Sequence, residues 1–452
     1  MSSLYRKLRH YYWLLSVFSK KNAKFLTISF IAGFFLIFVF INIFPLFNSL
    51  FFQKTDVIGI VGTYNLQNIP DEVKQEISNP LVTVDQNGEI RPVLANSWEI
   101  LNNGKTYRFH LKADLYWTDK KKFTAHDIEY NFQDVAVQVV DDYTLDFVLS
   151  QPLIIFPIYL TKPVVKQPLI GIGSGYTVQS YKLDKNVVTS IHLTPNKENL
   201  PLKTYRFYQT EDDLITAYKK GEITFFRTSN RNIADVFSNW KNTEIKRDID
   251  YTQILTLFLN TQSSILQERD ARKSLAYTIG SFNESGVPAK SPIPPTSWAY
   301  LEDVREYTRN EERARSLIED TLKESTASSK LTLYTFFDYV DVAEELKKNF
   351  EEIGLDITLK VVSYIPDKFD MLLTVWNPPV DPDQYFFWHS TQTQTNLTKL
   401  NNVKIDKLLE DGRRVVNVKQ RKNIYNDFQK TILEEVPAIF IYHPYLYTVS
   451  RR

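Results

Sequence analysis

The feature that most constrains this chain is a run of twenty uncharged, mostly apolar residues, FLTISFIAGFFLIFVFINIF, from Phe25 to Phe44. A helix rises about 1.5 Å per residue, so a run of this length can cross a hydrocarbon core of about 30 Å. A cleaved signal peptide has a shorter apolar region, about 7–15 residues, that ends in small residues. No such cleavage site follows here, and we expect a retained transmembrane helix over residues 25–47.

The charges around this run predict its orientation. The first acidic residue is Asp56, and the run is preceded by Arg6, Lys7, Arg9, Lys20, Lys21 and Lys24. The positive-inside rule therefore places residues 1–24 in the cytoplasm and the chain after Phe52 outside. No second run of this length occurs, so we expect a single-pass membrane protein whose main body lies on the periplasmic or extracellular face.

Composition disfavours several classes of function. A formal net charge of +1 over 452 residues does not point to nucleic acid. The chain has no cysteine, which excludes disulfides, a thiolate nucleophile and cysteine-based metal sites. The histidines have no metal-ligand spacing and lie at positions 10, 110, 126, 192, 389 and 443. We expect no catalytic residue, no metal and no cofactor.

The outer body, residues 57–452, changes along its length in the secondary structure that its residue pattern predicts. Residues 57–260 are predicted to form mainly short strands and turns. KTYRFHLK and YTLDFVLS alternate apolar and polar residues, and VDQNGE and LNNGK contain hairpin-type Asn-Gly turns. From Asp270 onward, amphipathic helices such as NEERARSLIEDTLKES and VDVAEELKKNFEEIG alternate with strands such as FDMLLTVW. We expect a closing pair of apolar strands in PAIFIYHPYLYTVS.

An ordered set of motifs then resembles one family. PLVTVDQNGEIRPVLANSWEILNNGKTYRFHLKADLYWTDKKKFTAHDIEYNF resembles the family 5 extracellular solute-binding proteins, the oligopeptide, dipeptide and nickel receptors of ABC importers. Lys121 departs from the glycine that is usual in that family. Further resemblances follow in the family's order: EDDLITAYKKGEITFF, ERDARKSLAYTIG, VPAKSPIPPTSWAY, VDPDQYFFWHST, KIDKLLEDGRR and QRKNIYNDFQKTILEEVPAIFIYHPYLY.

The resemblance implies an α/β, two-lobed fold of the periplasmic-binding-protein type II kind, with a hinge and an interlobe cleft. Lobe one is expected over residues 57–254, with a strand at 437–452 returning to it, and lobe two over residues 255–436. The lobes close on a bound ligand by hinge motion. A monomeric receptor of this kind presents a peptide or another small solute to ABC permease subunits and makes or breaks no bond.

The chain also departs from the family in lobe one. A helical insertion that the family carries between YNFQDV and VVDDYT is nearly absent, and LIGIGSGYTV replaces the usual GTGPY turn. These departures imply a trimmed first lobe and a more open cleft. The solute class therefore stays open between peptides and alternatives such as a metal chelate or an oligosaccharide. A passive surface or sensor role with the same fold is a further alternative, and an enzyme is disfavoured.

Asp381 and Asp383 in VDPDQYFFWHST allow four interpretations. A catalytic pair needs two environments that separate the pKa values, and a metal site needs more ligands than the nearby His389. An acid before QYFFWHS can cap a helix, and an acid in this loop can bind a ligand. Peptide-binding relatives keep an amine-binding acid two or three residues after a tryptophan. Here Asn377 follows Trp376, and we expect Asn377 and Asp381 to contact the ligand, with Asp381 as the substitute for that acid. We expect Asp383 to cap.

The resemblance supplies the remaining candidate ligand contacts. Gln67 and Ile69 match an early cleft-lining segment, Arg227 and Thr228 match the segment after the family's "G-E-x-D" strand, and Asn396 matches a polar residue at the rim of lobe two. Trp376 offers a flat face to a ligand side chain, with core packing as its alternative. Arg227 suits a ligand carboxylate, with a weak surface ion pair as its alternative.

Overall fold

The computed structural model describes residues 2–25, 27–35, 37–38, 55–130, 132, 134–324 and 328–452. Helix α1, Ser2–Lys21, precedes a further helical stretch over residues 27–35. Much of the predicted membrane helix, including residues 39–47, lies outside the described residues. In the parts of the chain that are described, no helix combines the length and the apolar character needed to cross a membrane.

The outer body contains helices and strands throughout. After α1, the helices are α2 Asp71–Ile77, α3 Glu211–Lys220, α4 Arg231–Val236, α5 Arg269–Ala276, α6 Glu311–Glu324, α7 Val340–Glu352, α8 Tyr385–Trp388, α9 Val403–Arg414 and α10 Val418–Glu435. The strands are β1 Thr55–Val61, β2 Val82–Val84, β3 Ile90–Pro92, β4 Ala95–Leu101, β5 Thr106–Leu111, β6 Val135–Asp141, β7 Thr144–Leu149, β8 Tyr176–Asp184, β9 Val187–Pro195, β10 Leu202–Tyr208, β11 Phe225–Thr228, β12 Thr243–Ile249, β13 Ile254–Leu259, β14 Gly286–Pro288, β15 Lys330–Thr335, β16 Asp356–Val361, β17 Met371–Trp376 and β18 Ala438–Arg451.

One mixed sheet runs through the outer body in the order β16-β15-β17-β13-β18-β11-β1-β10-β9-β8. Strands β15, β16 and β17 pair in parallel on one side, and β10, β1 and β11 pair in parallel on the other. Strand β18 lies between these two groups. Its first half pairs with β13 and β14, and its second half pairs with β11 and β12.

The C-terminal strand differs from the prediction. PAIFIYHPYLYTVS was expected to form a strand pair, but β18 is a single strand of 14 residues that contains Pro444. Proline cannot donate a ladder hydrogen bond and normally weakens a strand interior. It is accommodated here because the partners of β18 change at this point. The Pro444 carbonyl instead accepts a hydrogen bond from Asp250 N at 2.9 Å.

A separate antiparallel sheet, β4-β5-β7-β6, carries the first group of family motifs. The alternating stretches KTYRFHLK and YTLDFVLS form β5 and β7. Burial alternates along β5 from Tyr107 onward, as predicted, whereas β7 is buried on both faces. The two Asn-Gly turns join β2 to β3 and β4 to β5. The aromatic residues of this sheet form a core of their own, in which Phe147 packs against Phe109 and Phe156 with ring centroids 5.6 and 5.3 Å apart.

The amphipathic patterns of the second half also form the predicted helices. NEERARSLIEDTLKES forms α6 and VDVAEELKKNFEEIG forms α7. Gly354 follows α7 with φ +102°, a conformation that favours glycine at a helix end. The buried strand predicted in FDMLLTVW is β17, which lies between β13 and β15. The boundaries expected for the two lobes, at residues 254 and 436, remain a prediction.

Candidate functional site

A small cavity opens where β1 and β11 end. Its volume is about 280 Å³, and Glu72, Glu211, Arg227, Thr228 and Ser229 contribute to its wall. The Arg227 guanidinium Nη1 lies 3.3 Å from Glu72 Oε1, and both side chains are about half exposed. Ligands of open α/β sheets bind beyond the carboxyl ends of strands. The cavity therefore offers one cationic group and two carboxylates to a ligand that enters there.

Glu211 adds a link to the second half of the chain. It is the first residue of α3, whose N-cap Thr210 accepts a hydrogen bond from Asp213 N. Partial desolvation and then the carboxylate of Asp338 raise the pKa of Glu211. Asp338 lies just beyond the carboxyl end of β15. An acidic group of the second half of the chain therefore acts electrostatically on Glu211 in the cavity wall.

Gln67 and Ile69 lie in the segment after β1 but have different environments. The Gln67 side chain is exposed and lines another cavity of about 290 Å³ together with Lys74 and Lys162. Ile69 is buried in the core that includes Val73 of helix α2. The structure does not bring either residue into the wall of the Arg227 cavity.

Trp376 and Asn377 lie at the end of β17. Trp376 is buried and packs edge-on against Phe387 and Trp388, with ring centroids 5.5 and 5.7 Å apart. This is the core packing that was the alternative to a ligand contact. Its indole Nε1 is buried and has no hydrogen-bond partner in the described part of the chain. Asn377, in contrast, is exposed.

Asp381 belongs to a buried ion pair. Its Oδ1 and Oδ2 lie 2.8 and 3.2 Å from the Arg421 guanidinium, and both side chains are almost fully buried. Arg421 also donates to Gly412 O and to the Tyr425 hydroxyl, at 3.0 and 3.3 Å. Burial raises the pKa of the Asp381 carboxyl, and the Arg421 guanidinium opposes that rise. The carboxylate that was expected to meet a ligand amine is thus already bound to an arginine.

Asp383 joins the two halves of the chain. Its Oδ1 accepts a hydrogen bond from Tyr385 N at 3.2 Å, which agrees with the capping role predicted for it. Its Oδ2 accepts from the Tyr159 hydroxyl and from Arg413 Nε, both at 2.9 Å, and Arg413 Nη2 donates to Tyr159 at 3.2 Å. Arg413 also stacks over the Tyr385 ring at 4.1 Å. This trio of Tyr159, Asp383 and Arg413 was missed by the sequence reasoning.

Thr228 and Asn396 both organise local backbone. Thr228 Oγ1 accepts a hydrogen bond from Asn230 N at 3.0 Å before helix α4. Asn396 is buried, and its Nδ2 donates to the carbonyls of Leu400, Trp388 and His389 at 2.9 to 3.4 Å.

Among the residues with described placement, no cluster of three or more His, Cys, Asp or Glu side chains could hold a metal ion.

The sequence and the fold of this chain are similar to those of known proteins. The model of "Bacterial extracellular solute-binding proteins, family 5 Middle" matches residues 89–397. The dipeptide-binding protein of Escherichia coli K12 is 22% identical over 80% of this chain and 83% of its own length. The oligopeptide-binding protein AppA of Bacillus subtilis 168 is 22% identical over 86% of each chain. The crystal structure of NikZ from Campylobacter jejuni in complex with Ni(L-His) superposes with a TM-score of 0.70 at 20% identity, covering 88% of this chain and 94% of that one.

Proposed function

The chain belongs to the bacterial extracellular solute-binding proteins of family 5, and from that membership we propose that it is the extracytoplasmic receptor of an ABC-type importer. In this proposal it binds peptides between its two halves and delivers them to permease subunits in the membrane. The observation that carries the proposal is the family match over residues 89–397, about two thirds of the chain.

The chemistry of the Arg227 cavity supports a peptide ligand. A peptide is a zwitterion whose carboxylate suits a guanidinium and whose ammonium suits a carboxylate. Arg227 has acidic neighbours in the cavity wall, Glu72 and Glu211. Among the sequence candidates, the side chains of Gln67, Arg227 and Asn377 are exposed. We assign them direct contacts, and we assign the other five, Ile69, Thr228, Trp376, Asp381 and Asn396, the task of fixing the walls of the cleft.

The hinge of the proposed receptor falls where the chain crosses between the two strand groups. The crossings lie near Asp250 and Pro444, which are joined by one backbone hydrogen bond of 2.9 Å. With this hinge, lobe one comprises residues 57–254 plus 437–452, and lobe two comprises residues 255–436. Closure then brings Asp338 of lobe two toward Glu211 and Arg227 of lobe one.

Binding is tested with the full-length protein in detergent and a defined pool of di- to nonapeptides, by native mass spectrometry and then calorimetry. We expect retention of peptides and an affinity at least tenfold weaker for Arg227→Ala, because the ligand carboxylate loses a charged partner. The control is Arg315→Ala, an exposed arginine on α6 that does not line the cavity. A folded protein that retains no peptide contradicts the proposal.

A metal chelate is the second candidate solute, and it is favoured by the structural likeness to a nickel–histidine complex. The described residues contain no preformed metal cluster, so the chelate's own ligands would have to complete the metal's coordination. Titration with nickel and L-histidine, together and separately, distinguishes the two solutes. Binding of the mixture without binding of any peptide favours the chelate.

We also propose that residues 25–47 form a membrane anchor with residues 1–24 in the cytoplasm. The support is the uncharged run and the basic residues that precede it. Because the chain has no cysteine, single cysteines report topology cleanly. Ser238→Cys should react with a membrane-impermeant maleimide on intact spheroplasts, whereas Ser16→Cys should react only after permeabilisation. Equal labelling of both contradicts the proposed orientation.

A further inference from the structure

The N-terminal helix α1 carries several basic residues and no acidic one. Five of its 20 residues are lysine or arginine, and the chain has no aspartate or glutamate before Asp56. Together with Lys24, six basic residues precede the apolar run that begins at Phe25. Clusters of about four to eight Lys and Arg residues next to a transmembrane helix are typical of segments that bind anionic lipid headgroups. The charge of α1 therefore favours an anionic partner.

Helix α1 also has an apolar side. Apolar residues recur in its sequence at intervals of three and four positions, the spacing that places residues on one side of a helix: Leu4, Leu8, Tyr11, Leu15 and Phe18. Arg6, Arg9 and Lys20 fall at helical positions opposite to these, where Trp13 and Val17 are the apolar exceptions. A helix that is apolar on one side and basic on the other is typical of segments that lie in the plane of a membrane surface.

Two large residues on the apolar side of α1 are exposed in the structure. Leu14 and Phe18 are 46% and 60% exposed, so the described part of the chain leaves much of both side chains uncovered. Contiguous exposed apolar residues mark a contact with a partner or a membrane. The five basic residues of α1 make it far too polar to cross a bilayer itself, which leaves the bilayer surface as the place where both of its sides are satisfied.

A turn separates α1 from the proposed membrane anchor. Helix α1 ends at Lys21, residue 22 forms a turn, and residues 23–25 and 27–35 are again helical. The Asn22 backbone N–H and its side-chain amide both donate to the Phe18 carbonyl, at 3.0 and 3.2 Å, and thereby satisfy one of the free carbonyls at the end of α1. Helix α1 is therefore distinct from the apolar run that follows it, and the proposed anchor holds it next to the cytoplasmic face of the membrane.

We propose that α1 lies on the anionic lipid headgroups of the cytoplasmic leaflet. Its apolar side faces the acyl chains, and Arg6, Arg9 and Lys20 face the phosphates. A lipid surface suits α1 better than a protein partner does, because it offers negative charge and apolar chains side by side along the whole helix. This placement of α1 rests on the proposed membrane anchor and its orientation. It adds a second attachment to the membrane that family membership does not supply.

The test uses the full-length protein in nanodiscs with nitroxide spin labels on single cysteines, since the chain has no cysteine of its own. Labels at Leu8→Cys, Leu15→Cys and Phe18→Cys should collide preferentially with oxygen, which concentrates among acyl chains. Labels at His10→Cys and Ser16→Cys should collide preferentially with a water-soluble nickel chelate. This contrast should be strong in nanodiscs that contain phosphatidylglycerol and weaker in nanodiscs of phosphatidylcholine alone.

A charge variant tests the headgroup contact directly. Each Lys or Arg near an anionic surface strengthens attachment about fivefold. Arg6→Gln/Arg9→Gln should therefore lower the ratio of surface-bound to water-exposed α1 roughly 25-fold, as read from the spectrum of a label at Phe18→Cys. Glutamine and arginine have similar helix propensities, so the loss reports charge. The control Lys219→Gln/Lys220→Gln removes the same charge from α3 in the outer body and should leave the ratio unchanged.

The outcomes separate the surface helix from the membrane anchor. Labels that lie in water at every position of α1, in a protein whose Ser238→Cys is labelled from outside and whose Ser16→Cys is not, overturn the surface helix and leave the anchor intact. Labels shielded from both oxygen and nickel overturn the lipid partner, because α1 then packs against protein. Identical contrasts in the two kinds of nanodisc overturn the headgroup contact. Labelling of Ser16→Cys from outside overturns the anchor orientation and the surface helix together.

Discussion

Replacing Asp381 by asparagine separates a structural role from a ligand-binding role. Arg421 and Asp381 are 3% and 6% exposed, and their closest nitrogen–oxygen distance is 2.8 Å. Asparagine keeps the size of the side chain but leaves the Arg421 charge buried without a counter-ion. Removing one partner of a buried ion pair typically costs about 3–5 kcal/mol. We expect a loss of unfolding free energy of that size.

The assay is thermal unfolding of the full-length protein in detergent, followed by far-UV circular dichroism. If the second half unfolds as a unit, the expected loss lowers its Tm by roughly 6–20 °C. The matched control is Asp248→Asn. Asp248 forms a well-exposed pair with Lys246 at 2.9 Å, and such surface pairs contribute about 0–1 kcal/mol.

A double variant keeps the test informative if Asp381→Asn fails to fold. Asp381→Leu combined with Arg421→Met removes both charges, and replacing a buried pair by apolar residues is often neutral or stabilising. The double variant should therefore recover most of the stability. The reasoning is refuted if Asp381→Asn keeps the wild-type Tm and binds amine-bearing peptides at least tenfold more weakly. That result would return Asp381 to the ligand role expected from the sequence.

Three further predictions concern other regions of the fold. Tyr159→Phe removes a hydroxyl that donates to the Asp383 carboxylate of the second half. A bound peptide should therefore dissociate up to about tenfold faster in stopped-flow measurements. An unchanged rate would mean that this contact does not stabilise the closed form. Gly88→Ala places a Cβ 2.7 Å from the Trp298 ring at φ +82° and should cost about 1–3 kcal/mol in thermal unfolding, more than the control Gly354→Ala, which meets no atom within 4 Å. Burial alone would raise the pKa of Asp127, but hydrogen bonds from the Lys166 ammonium and the Trp117 indole lower it. Its stabilising contribution is therefore present above about pH 3.9, the ordinary value, and is lost as the pH falls through the lower folded value; Asp127→Asn should show less of this acid loss in Tm measured from pH 2 to 6.

Local patterns predicted the regular elements well because those elements depend on near neighbours. The alternation in KTYRFHLK fixes which face of β5 is buried, and the period of VDVAEELKKNFEEIG fixes the buried stripe of α7. The ordered motifs added the family, and with it the α/β architecture. PAIFIYHPYLYTVS was predicted to form two strands, because its proline suggests a break, and it forms the single strand β18. Only the change of strand partners at Pro444, which is a long-range property, explains how the strand continues.

The chemistry of the site was harder to predict because it depends on contacts between distant residues. Asp381 meets Arg421 across 40 positions, and Asp383 meets Tyr159 across 224. No local period marks such pairs, so a sequence cannot show that a loop carboxylate is already neutralised. Trp376 and Asn396 illustrate the same limit, since a residue at the mouth of a cleft and a residue just beneath it have the same sequence pattern.

The pairing of Asp381 and Asp383 with arginines means that a ligand ammonium needs another carboxylate as its partner. With Asp381 and Asp383 each bound to an arginine, neither supplies a free negative charge for a ligand ammonium. Glu211 lies in the wall of the Arg227 cavity and is acted on electrostatically by Asp338 of the second half of the chain. In the proposed receptor, these two like charges would oppose closure of the lobes unless a cation lay between them. An ammonium group bound there would relieve this repulsion in the closed form alone, so the amine of the ligand would favour closure as well as binding.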